Sequence, residues 1–478
     1  MKKTLLFLLA IALSSSSSMS KETIRVSGTV VTDKGVGIPG VVVNDGVNFT
    51  VTDKSGRWVI VTDTTVSKFV SISTPAGYHL PAKDGLALFY KPLRNIYKGE
   101  KCQFVLRKRS GIADSFRFIA ISDPQVRDQK EMQRWQKETV ADLRHTVDSL
   151  STNGEVLGMT LGDLVFDNMG LYGDFANSLK NSGATFFQTI GNHDLNKAYQ
   201  DLHNMRRGTP RYGEEYYHKY FGPTDYSFNI GRIHVVSMKS INYVGKRKYI
   251  ESFTDAQLAW LENDLKYVPK GTTVFFNTHA AGWNSVCGDG NIVNADKLEK
   301  IFKDYNVHFF CGHTHFYQNI IVNEHLYQHN IAAVCGAWWA GNVGQCGAPN
   351  GYLIVDVDGD SVKWHYKPTG ASVGKQMALY APGQFRRARK YVVANVWDYD
   401  SNCKVTVEQD GVEIGGMERF EALDENYIRQ QNSVNKDEND VPTSHLFRFL
   451  PSESAKNVTV TFTNSFGEKY SQTIVLKK

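Results

Sequence analysis

The central part of the chain alternates short apolar runs with longer segments of helical periodicity. The apolar runs lack the polar alternation of a half-exposed strand and are typical of buried strands; they cover 116–122, 156–161, 185–190, 273–278 and 307–311. Helical patterns lie between them, at 131–150, 172–181, 255–267 and 295–304. Thr254 and Gln257 form a capping box before the third helix. This alternation predicts an α/β domain whose sheets are sandwiched between helices.

The two flanking regions have a β pattern. Between residues 22 and 108, short β-branched runs are broken by Asp/Gly turns, which predicts a small antiparallel β-sandwich. Runs of alternating apolar and polar residues return after residue 370, at 391–397, 403–408, 446–450 and 458–463. We therefore predict an α/β fold with domains at 22–108, 112–370 and 371–478, of which the first and last are all-β sandwiches.

The N-terminus has the pattern of a secretory signal peptide. Lys2 and Lys3 precede an apolar run at 5–13 and a serine run at 14–18, which predicts a signal peptide over residues 1–20. The apolar run is too short for a membrane anchor, which needs about 20 apolar residues. No later segment is long and apolar enough to span a bilayer. We expect an exported protein, periplasmic or extracellular.

Composition excludes several classes of protein. Apolar residues make up 41% and charged residues 22%, and the formal net charge is +5, so collagen-like, disordered and polytopic membrane proteins are excluded. An excess of cations this small indicates no nucleic-acid-binding surface. Six cysteines are too few and too irregular for a disulfide framework. Two alternatives remain equal. Either one disulfide bridge forms among Cys287, Cys335 and Cys346, or these cysteines are free thiols.

Five short polar segments follow the five predicted strands, at the edge where α/β sheets bind ligands. They are Ser122-Asp123-Pro124-Gln125, Gly162-Asp163-Leu164-Val165-Phe166-Asp167, Gly191-Asn192-His193-Asp194, Thr278-His279 and Gly312-His313-Thr314-His315. Each segment alone is more typical of a helix cap or a hydrogen-bonded loop. All five in this order favour a catalytic site.

These segments, over residues 116–367, resemble the calcineurin-like metallophosphoesterase superfamily, whose pattern is D-x-H, G-D-x-x-D, G-N-H-[DE], H and G-H-x-H. The three-part arrangement resembles extracytoplasmic bacterial members of that superfamily, and the N-terminal region resembles carboxypeptidase-regulatory-like, transthyretin-type domains. The resemblance implies two adjacent metal ions that share Asp163. Its other implied ligands are Asp123, Gln125 and His315 for one ion, and Asn192, His279 and His313 for the other.

Carboxylate, amide and imidazole ligands suit Mn, Fe or Zn. Two such ions, about 3.5–4 Å apart, can share a hydroxide that attacks a phosphoester in line. The resemblance further implies that His193 is the general acid for the leaving oxygen. A carboxylate should orient its ring, and Asp167 is the first candidate and Asp194 the second.

The sequence departs from the superfamily pattern at two positions. Gln125 stands where the superfamily usually has His, and its amide oxygen should weaken that metal or shift its preference from Zn toward Mn or Fe. The carboxylate after Gly162-Asp163 falls at Asp167, one position later than the pattern predicts. Neither departure removes the ligand shared by the two ions.

Aromatic residues near the last ligand are candidates for substrate binding. Trp338 and Trp339 can stack on an organic leaving group such as a sugar or a base, and core packing of at least one of them is an equal alternative. Tyr199, Tyr212 and Tyr217 are weaker candidates for the same rim.

We predict from these features an exported dinuclear metallophosphoesterase that hydrolyses a phosphomonoester or phosphodiester, small or part of the envelope. The alternative is an inactive protein that binds a glycan or envelope polymer through its flanking sandwiches. The sequence leaves open the choice between monoester and diester, the metal identity and the oligomeric state.

Overall fold

The computed structural model describes residues 23–111, 113–197, 213–245, 247–286, 290–431 and 440–476. The predicted signal peptide, Tyr199, Tyr212 and Cys287 lie outside these described residues. Among the described residues, no helix has the length and hydropathy that crossing a bilayer requires.

Two central sheets pack against each other and position the site. Their strands are β10 (Ser115–Ile121), β11 (Glu155–Leu161), β12 (Thr185–Thr189), β13 (Tyr226–Ile230), β14 (Ile233–Ser237), β17 (Thr273–Asn277), β18 (Asn306–Cys311), β19 (Gln318–Asn323), β20 (Leu326–Asn330), β21 (Gly351–Asp358) and β22 (Ser361–Pro368), with β15 (Ile241–Gly245) and β16 (Lys248–Glu251) forming a separate hairpin. The Phe118 ring of one sheet lies 5.4 Å from the Phe275 and Phe310 rings of the other.

Each central sheet has a parallel core with antiparallel edges. The first has the order β22-β21-β10-β11-β12, and β10, β11 and β12 are parallel neighbours. The second has the order β13-β14-β17-β18-β20-β19, with β14, β17, β18 and β20 parallel. All five predicted buried strands are present, with ends that differ by one residue at most. The predicted α/β class is confirmed.

Six of the eight described α-helices belong to the central region, and one lies in each flanking region. Their bounds are α1 (Leu93–Tyr97), α2 (Gln129–Arg134), α3 (Ala141–Leu150), α4 (Tyr172–Leu179), α5 (Glu215–Phe221), α6 (Asp255–Leu265), α7 (Ala295–Phe302) and α8 (Glu425–Gln431). Thr254 and Gln257 form the predicted capping box of α6. The helix predicted at 131–150 begins at Gln129, because Asp128 accepts a hydrogen bond from Glu131 N and caps it. A π-helical stretch, Trp135–Val140, joins α2 to α3.

The flanking regions are β-rich. The N-terminal strands are β1 (Thr23–Thr32), β2 (Val42–Asn44), β3 (Phe49–Val51), β4 (Arg57–Asp63), β5 (Phe69–Ser73), β6 (Ala82–Lys83), β7 (Leu86–Ala87), β8 (Tyr90–Pro92) and β9 (Gln103–Leu106). They form sheets of order β4-β1-β9 and β3-β2-β5-β8. The short β7 instead pairs with β12 at Leu86 and Phe186, so the N-terminal region extends the first central sheet through β7 and β6.

The C-terminal region is a pair of antiparallel sheets. Its strands are β23 (Met377–Tyr380), β24 (Val392–Val396), β25 (Lys404–Gln409), β26 (Val412–Gly416), β27 (Glu418–Ala422), β28 (Thr443–Phe449), β29 (Asn457–Thr463) and β30 (Lys469–Val475). Sheet orders are β23-β24-β28-β27 and β26-β25-β29-β30. Ala394 of the first sheet and Val407, Val460 and Phe462 of the second are buried in one apolar core. This arrangement is a small β-sandwich.

The five described cysteines are free thiols: Cys102, Cys311, Cys335, Cys346 and Cys403. No disulfide joins Cys335 to Cys346 in the described residues, and a bridge that involves Cys287 stays a prediction. Both thiols are buried, and burial raises their pKa, to about 11 for Cys346. They behave as small apolar residues of the core.

Candidate metal centre

The five polar segments meet where β10, β11, β12, β17 and β18 end. Asp163 Oδ1 accepts a hydrogen bond from His193 N at 2.8 Å, which joins the segments after β11 and β12. Asp123 Oδ2 accepts one from His313 N at 3.1 Å, which joins the segments after β10 and β18. Parallel strands present their carboxyl ends at one edge, so residues far apart in the chain converge there.

Four side chains, Asp163, Asn192, His279 and His313, form a tight group that we call the His279 cluster. His279 Nε2 lies 2.9 Å from Asn192 Oδ1, 3.4 Å from Asp163 Oδ1 and 3.1 Å from His313 Nδ1. Asp163, Asn192 and His279 are buried, and His313 is half-buried. Four possible ligand atoms therefore face one point.

Hydrogen bonds on the far sides of the two imidazoles decide which atoms face inward. His279 Nδ1 lies 2.8 Å from Leu161 O and His313 Nε2 lies 3.2 Å from Glu251 Oε1. A carbonyl and a carboxylate only accept hydrogen bonds, so both of these nitrogens donate. In neutral rings, the nitrogens that face the His279 cluster then carry lone pairs. Lone pairs of two imidazoles, an amide and a carboxylate converge, which is the donor set of a cation.

The electrostatics of the His279 cluster also favour a positive charge. Burial would lower the pKa of His279, but the Asp163 carboxylate raises it to about 10. Burial would raise the pKa of Asp163, but His279, with His193 and His313, holds it below its usual range. These shifts have one cause, the buried carboxylate among imidazoles.

The second group, which we call the Asp123 cluster, consists of Asp123, Gln125 and His315 beside Asp163. His315 Nε2 lies 3.4 Å from Asp123 Oδ1. Asp123 Oδ1, Gln125 Oε1 and His315 Nδ1 are buried without a hydrogen-bond partner. Buried polar atoms normally have partners, so each of these side chains keeps capacity for a further contact, and Asp123 Oδ1 with His315 Nε2 would be the nearest pair of ligand atoms for a cation.

Gln125 turns its amide nitrogen toward the Asp163 carboxylate. Its Nε2 donates to Asp163 Oδ2 at 2.7 Å, while Oε1, the predicted ligand atom, has no partner. The structure therefore brings Gln125 into the site, with its oxygen pointing away from Asp163.

The glycines of the motifs permit the close approach of these segments. A Cβ on Gly191 would lie 2.2 Å from Asp163 Oδ1, and one on Gly312 would lie 1.6 Å from Ser122 Oγ and 2.5 Å from Asp123 Oδ2. No side chain fits at such distances, so the G-N-H and G-H-x-H segments need glycine before their ligands.

The site also concentrates unusual backbone geometry. Eight of the twelve described non-glycine residues with positive φ belong to it: Asp123, Gln125, Asp163, Asp167, His313, His315, Trp338 and Trp339, with φ between 41° and 69°. The left-handed region is unfavourable for such residues and costs about 1–2 kcal/mol at each position. Strain of this kind typically marks a functional site.

The predicted general acid has the first of its two candidate partners. His193 Nδ1 lies 3.0 Å from Asp167 Oδ1, and the same oxygen accepts from Lys197 Nζ at 2.7 Å. The Phe166 ring stacks on His193 at a centroid distance of 3.9 Å. Partial burial would raise the pKa of Asp167, but the hydrogen bonds from His193 and Lys197 lower it below its usual value. A charged carboxylate thus holds the His193 ring.

Asp194, the second candidate, is not placed to orient His193. Its carboxylate accepts from the backbone N–H groups of Leu164, Val165 and Gly191 and from the Tyr172 hydroxyl. Burial, with the nearby charge of Asp163, raises the pKa of Asp194 to about 7. Its side chain fastens the segment after β11 to the segment after β12.

Only one of the two tryptophans is placed to meet a substrate. Trp338 is partly exposed, and its ring lies 5.0 Å from that of His315. Trp339 is buried, and its Nε1 donates to Pro124 O at 2.8 Å, so the alternative of core packing applies to Trp339. Tyr217 is also buried and donates to Gln188 O, so it is not a rim residue.

Two residues of the site carry no motif in the sequence. Glu251, which accepts from His313, ends a strand of the β15–β16 hairpin. Lys197, which donates to Asp167, follows the G-N-H-D segment. Glu251 is a lone acid after a basic turn, and Lys197 is a lysine in a loop. Such residues are too common in sequences to be identified as site residues, so only the tertiary structure reveals these contacts.

Comparisons with known proteins agree with this geometry. A family model described as the N terminal of calcineurin-like phosphoesterase matches residues 24–109, and one described as the C terminal of calcineurin-like phosphoesterase matches residues 328–470. No sequence relative is found among curated proteins. The two matched segments flank the motif-bearing strands.

The solved structures to which this chain is similar are distant in sequence. A dimetal phosphatase from Danio rerio is 13% identical, with 53% of this chain and 96% of that chain covered and a TM-score of 0.38. The purple acid phosphatase PPD1 from yellow lupin is 13% identical, with 72% and 70% covered and a TM-score of 0.39. A 5'-nucleotidase from Candida albicans is 11% identical, with 54% and 51% covered and a TM-score of 0.33.

Both flanking regions thus match models of one family, and the segments between them carry that family's motifs. The chain belongs to the calcineurin-like phosphoesterase superfamily and is a metal-dependent hydrolase of phosphoester bonds.

Proposed function

We propose that this chain is an exported phosphoesterase with two metal ions, which hydrolyses a phosphomonoester or a phosphodiester with His193 as the general acid. The observation that carries the proposal is the convergence of lone pairs in the His279 cluster, 2.9–3.4 Å apart, beside the unpartnered atoms of the Asp123 cluster. Asp163 adjoins both clusters and is the residue proposed to be shared.

The two clusters fit one ion each. The His279 cluster would hold one ion, and Asp123 and His315, with the Gln125 oxygen after a turn of its amide, would hold the other. Ions of this kind supply Lewis acidity, which lowers the pKa of a coordinated water and neutralises phosphoryl oxygens. The mixed oxygen and nitrogen donors suit Mn, Fe or Zn.

His193 is placed to deliver a proton to the leaving oxygen. Asp167 accepts from Nδ1, so Nε2 is the ring nitrogen left to meet the substrate. The backbone N–H of His193 donates to Asp163 Oδ1, which ties the general acid to the shared carboxylate. Phe166 against one ring face restricts rotation of the imidazole. A positioned acid of this type contributes about 10²–10⁴ in rate.

Export is proposed from the N-terminal pattern. Lys2 and Lys3, the apolar run at 5–13 and the serine run at 14–18 support a cleaved signal peptide. Expression of the full chain in a bacterium, followed by fractionation and N-terminal sequencing of the mature protein, tests this part. A mature protein that stays in the cytoplasm with Met1 retained would contradict it.

Metal analysis and a substrate screen test the catalytic part. The purified chain should hold up to two transition metals and should hydrolyse chromogenic monoesters or diesters with Mn, Fe or Zn. Monoesters, diesters and envelope phospho-compounds are tested with each metal in turn. Less than one tightly held metal per chain, with no turnover after metal addition, would instead favour the glycan- or polymer-binding alternative.

A further inference from the structure

The surroundings of His193 carry more positive charge than the rest of the site. Asp167, one carboxylate, faces two cations: Lys197 Nζ at 2.7 Å and Arg247 Nη2 at 3.9 Å. The Lys197 side chain is nine-tenths buried, so its charge is poorly screened by water. Lys197 and Arg247 together exceed the charge of Asp167 by one, counted over the described residues of this region.

The opposite side of the site is balanced. There Arg127 pairs with the Glu131 carboxylate and donates to Trp338 O. Arg134 likewise pairs with Glu138 and donates to Trp339 O. Each cation on the Trp338 side thus has one carboxylate, so among the described residues the excess of positive charge lies on the His193 side.

Arg247 reaches this region because the β15–β16 hairpin projects over the site. At its base, Glu251 contacts His313. Arg247 lies in the turn of this hairpin, with a φ of 61°. Its backbone N–H donates to the Tyr243 hydroxyl. The Arg247 side chain is 68% exposed, and at 3.9 Å it is an ion-pair neighbour of Asp167 and not a hydrogen-bond donor to it. Its guanidinium therefore has donors available for a ligand.

We propose that Arg247 and Lys197 form a subsite for a second anionic group, a phosphate or a carboxylate, carried by the leaving group of the substrate. The inference rests on the proposed function, because His193 as general acid places the leaving group on this side of the site. Arginine binds planar or tetrahedral oxyanions through paired N–H donors. The substrate class is thus a phosphoester whose leaving group is itself anionic.

Matched substrates test the subsite. Phenyl phosphate, 4-(carboxymethyl)phenyl phosphate and 4-(phosphonomethyl)phenyl phosphate have leaving groups of similar acidity and differ mainly in the added anion. We expect kcat/KM to be about tenfold higher for the two substrates with the added anion than for phenyl phosphate. One charge-assisted hydrogen bond supplies a factor of this size. The preference should fall as salt is added. The carboxylate and phosphonate arms show which anion the subsite prefers.

Variants locate the preference. Arg247→Gln should reduce the ratio of kcat/KM between anionic and neutral substrates to about two, and Arg247→Lys should restore part of it. Arg232→Gln is the matched control, because Arg232 is 56% exposed and pairs with Asp114 and Asp360 away from the site. It should leave the ratio unchanged. Thermal unfolding of each variant checks that the fold is kept.

Two results would overturn the subsite: equal kcat/KM for neutral and anionic substrates in the wild-type protein, or an undiminished preference in Arg247→Gln. If no substrate is turned over, the proposed function fails separately. The subsite is then judged by calorimetry with benzylphosphonate and 4-carboxybenzylphosphonate, of which the second should bind about tenfold more tightly. Equal affinities would again contradict the proposal.

Discussion

The His279 cluster and the Asp123 cluster differ in how the protein holds their side chains. In the His279 cluster, Leu161 O and Glu251 bind the outer nitrogens of His279 and His313 and fix the rings before any ligand arrives. In the Asp123 cluster, one atom of each side chain is buried without a partner. One half of the centre is thus built by the protein's own hydrogen bonds, whereas the other needs an ion to complete it.

This difference implies an order of binding. Ligands that are already oriented lose little conformational freedom on binding a metal, so the His279 cluster should bind its ion more tightly. The Asp123 cluster must turn the Gln125 amide and break its hydrogen bond to Asp163. The variants below are chosen to separate the two halves.

The largest effect is expected for Asp163→Asn. Removal of the shared carboxylate should abolish turnover and release metal from both clusters, because the buried imidazoles lose the anion that offsets a cation. Asn192→Ala and His313→Ala should also abolish turnover, but with loss of metal from the His279 cluster first. Metal content by mass spectrometry and turnover with a chromogenic ester measure this. Asp174→Asn, an exposed aspartate of α4, is the control.

His193→Ala should come next, with turnover slowed about 10²–10⁴-fold and metal content largely kept. Its side chain is not part of either cluster, so the comparison between them should be unchanged. Kinetics and metal analysis on the same preparation check this. Loss of both metals in His193→Ala would show that His193 is a ligand and not the acid. His325→Ala, at an exposed turn, is the control.

Glu251→Gln should weaken metal binding about 10–100-fold at the His279 cluster alone, as loss of a carboxylate behind a metal-bound histidine does. Glutamine keeps the size of the side chain but accepts a weaker hydrogen bond from His313 Nε2. Titration of metal into chelator-stripped protein measures the affinity directly. Glu324→Gln is the control, since Glu324 is exposed. Equal weakening of both ions would contradict a local effect.

The smallest effect is expected at Gln125, and it should fall on the Asp123 cluster alone. Gln125→Ala should weaken that ion, and Gln125→His should raise its affinity for Zn relative to Mn, because imidazole is the softer donor. Titration of metal into both variants and the wild-type protein shows whether Gln125 binds the ion. Unchanged stoichiometry and affinity in Gln125→Ala would remove Gln125 from the ligand set.

Strong local patterns account for what the sequence predicted well. The five apolar runs, the capping box at Thr254 and the placement of the five polar segments depend on periodicity and on turn chemistry, which are local. The orientation of the Gln125 amide, the burial of Trp339 and the contacts of Asp194 with Leu164 and Val165 depend on neighbours more than 25 residues away in the chain. The domain limits at 108, 112 and 370 stay a prediction.

Long-range pairing also explains what the sequence could not indicate. β7, a strand of two residues, joins the first central sheet through a single pair, Leu86 with Phe186. Glu251 reaches His313 across 62 residues of chain. Neither contact has a periodic or motif signal, since each depends on where the hairpin or strand packs after folding.

The left-handed backbone of the site has a consequence for how this protein changes over generations. His313, with a φ of 69°, would be accommodated at lower conformational cost by glycine. A change to glycine there should relieve the backbone strain while removing a ligand, whereas glycine at Asp163 would leave the buried His279 without its carboxylate and lower the folding stability. Selection for a folded, abundant protein would therefore oppose the change at Asp163 more strongly than the change at His313. Copies of this protein that no longer need the activity should thus lose the His313 ligand before they lose Asp163.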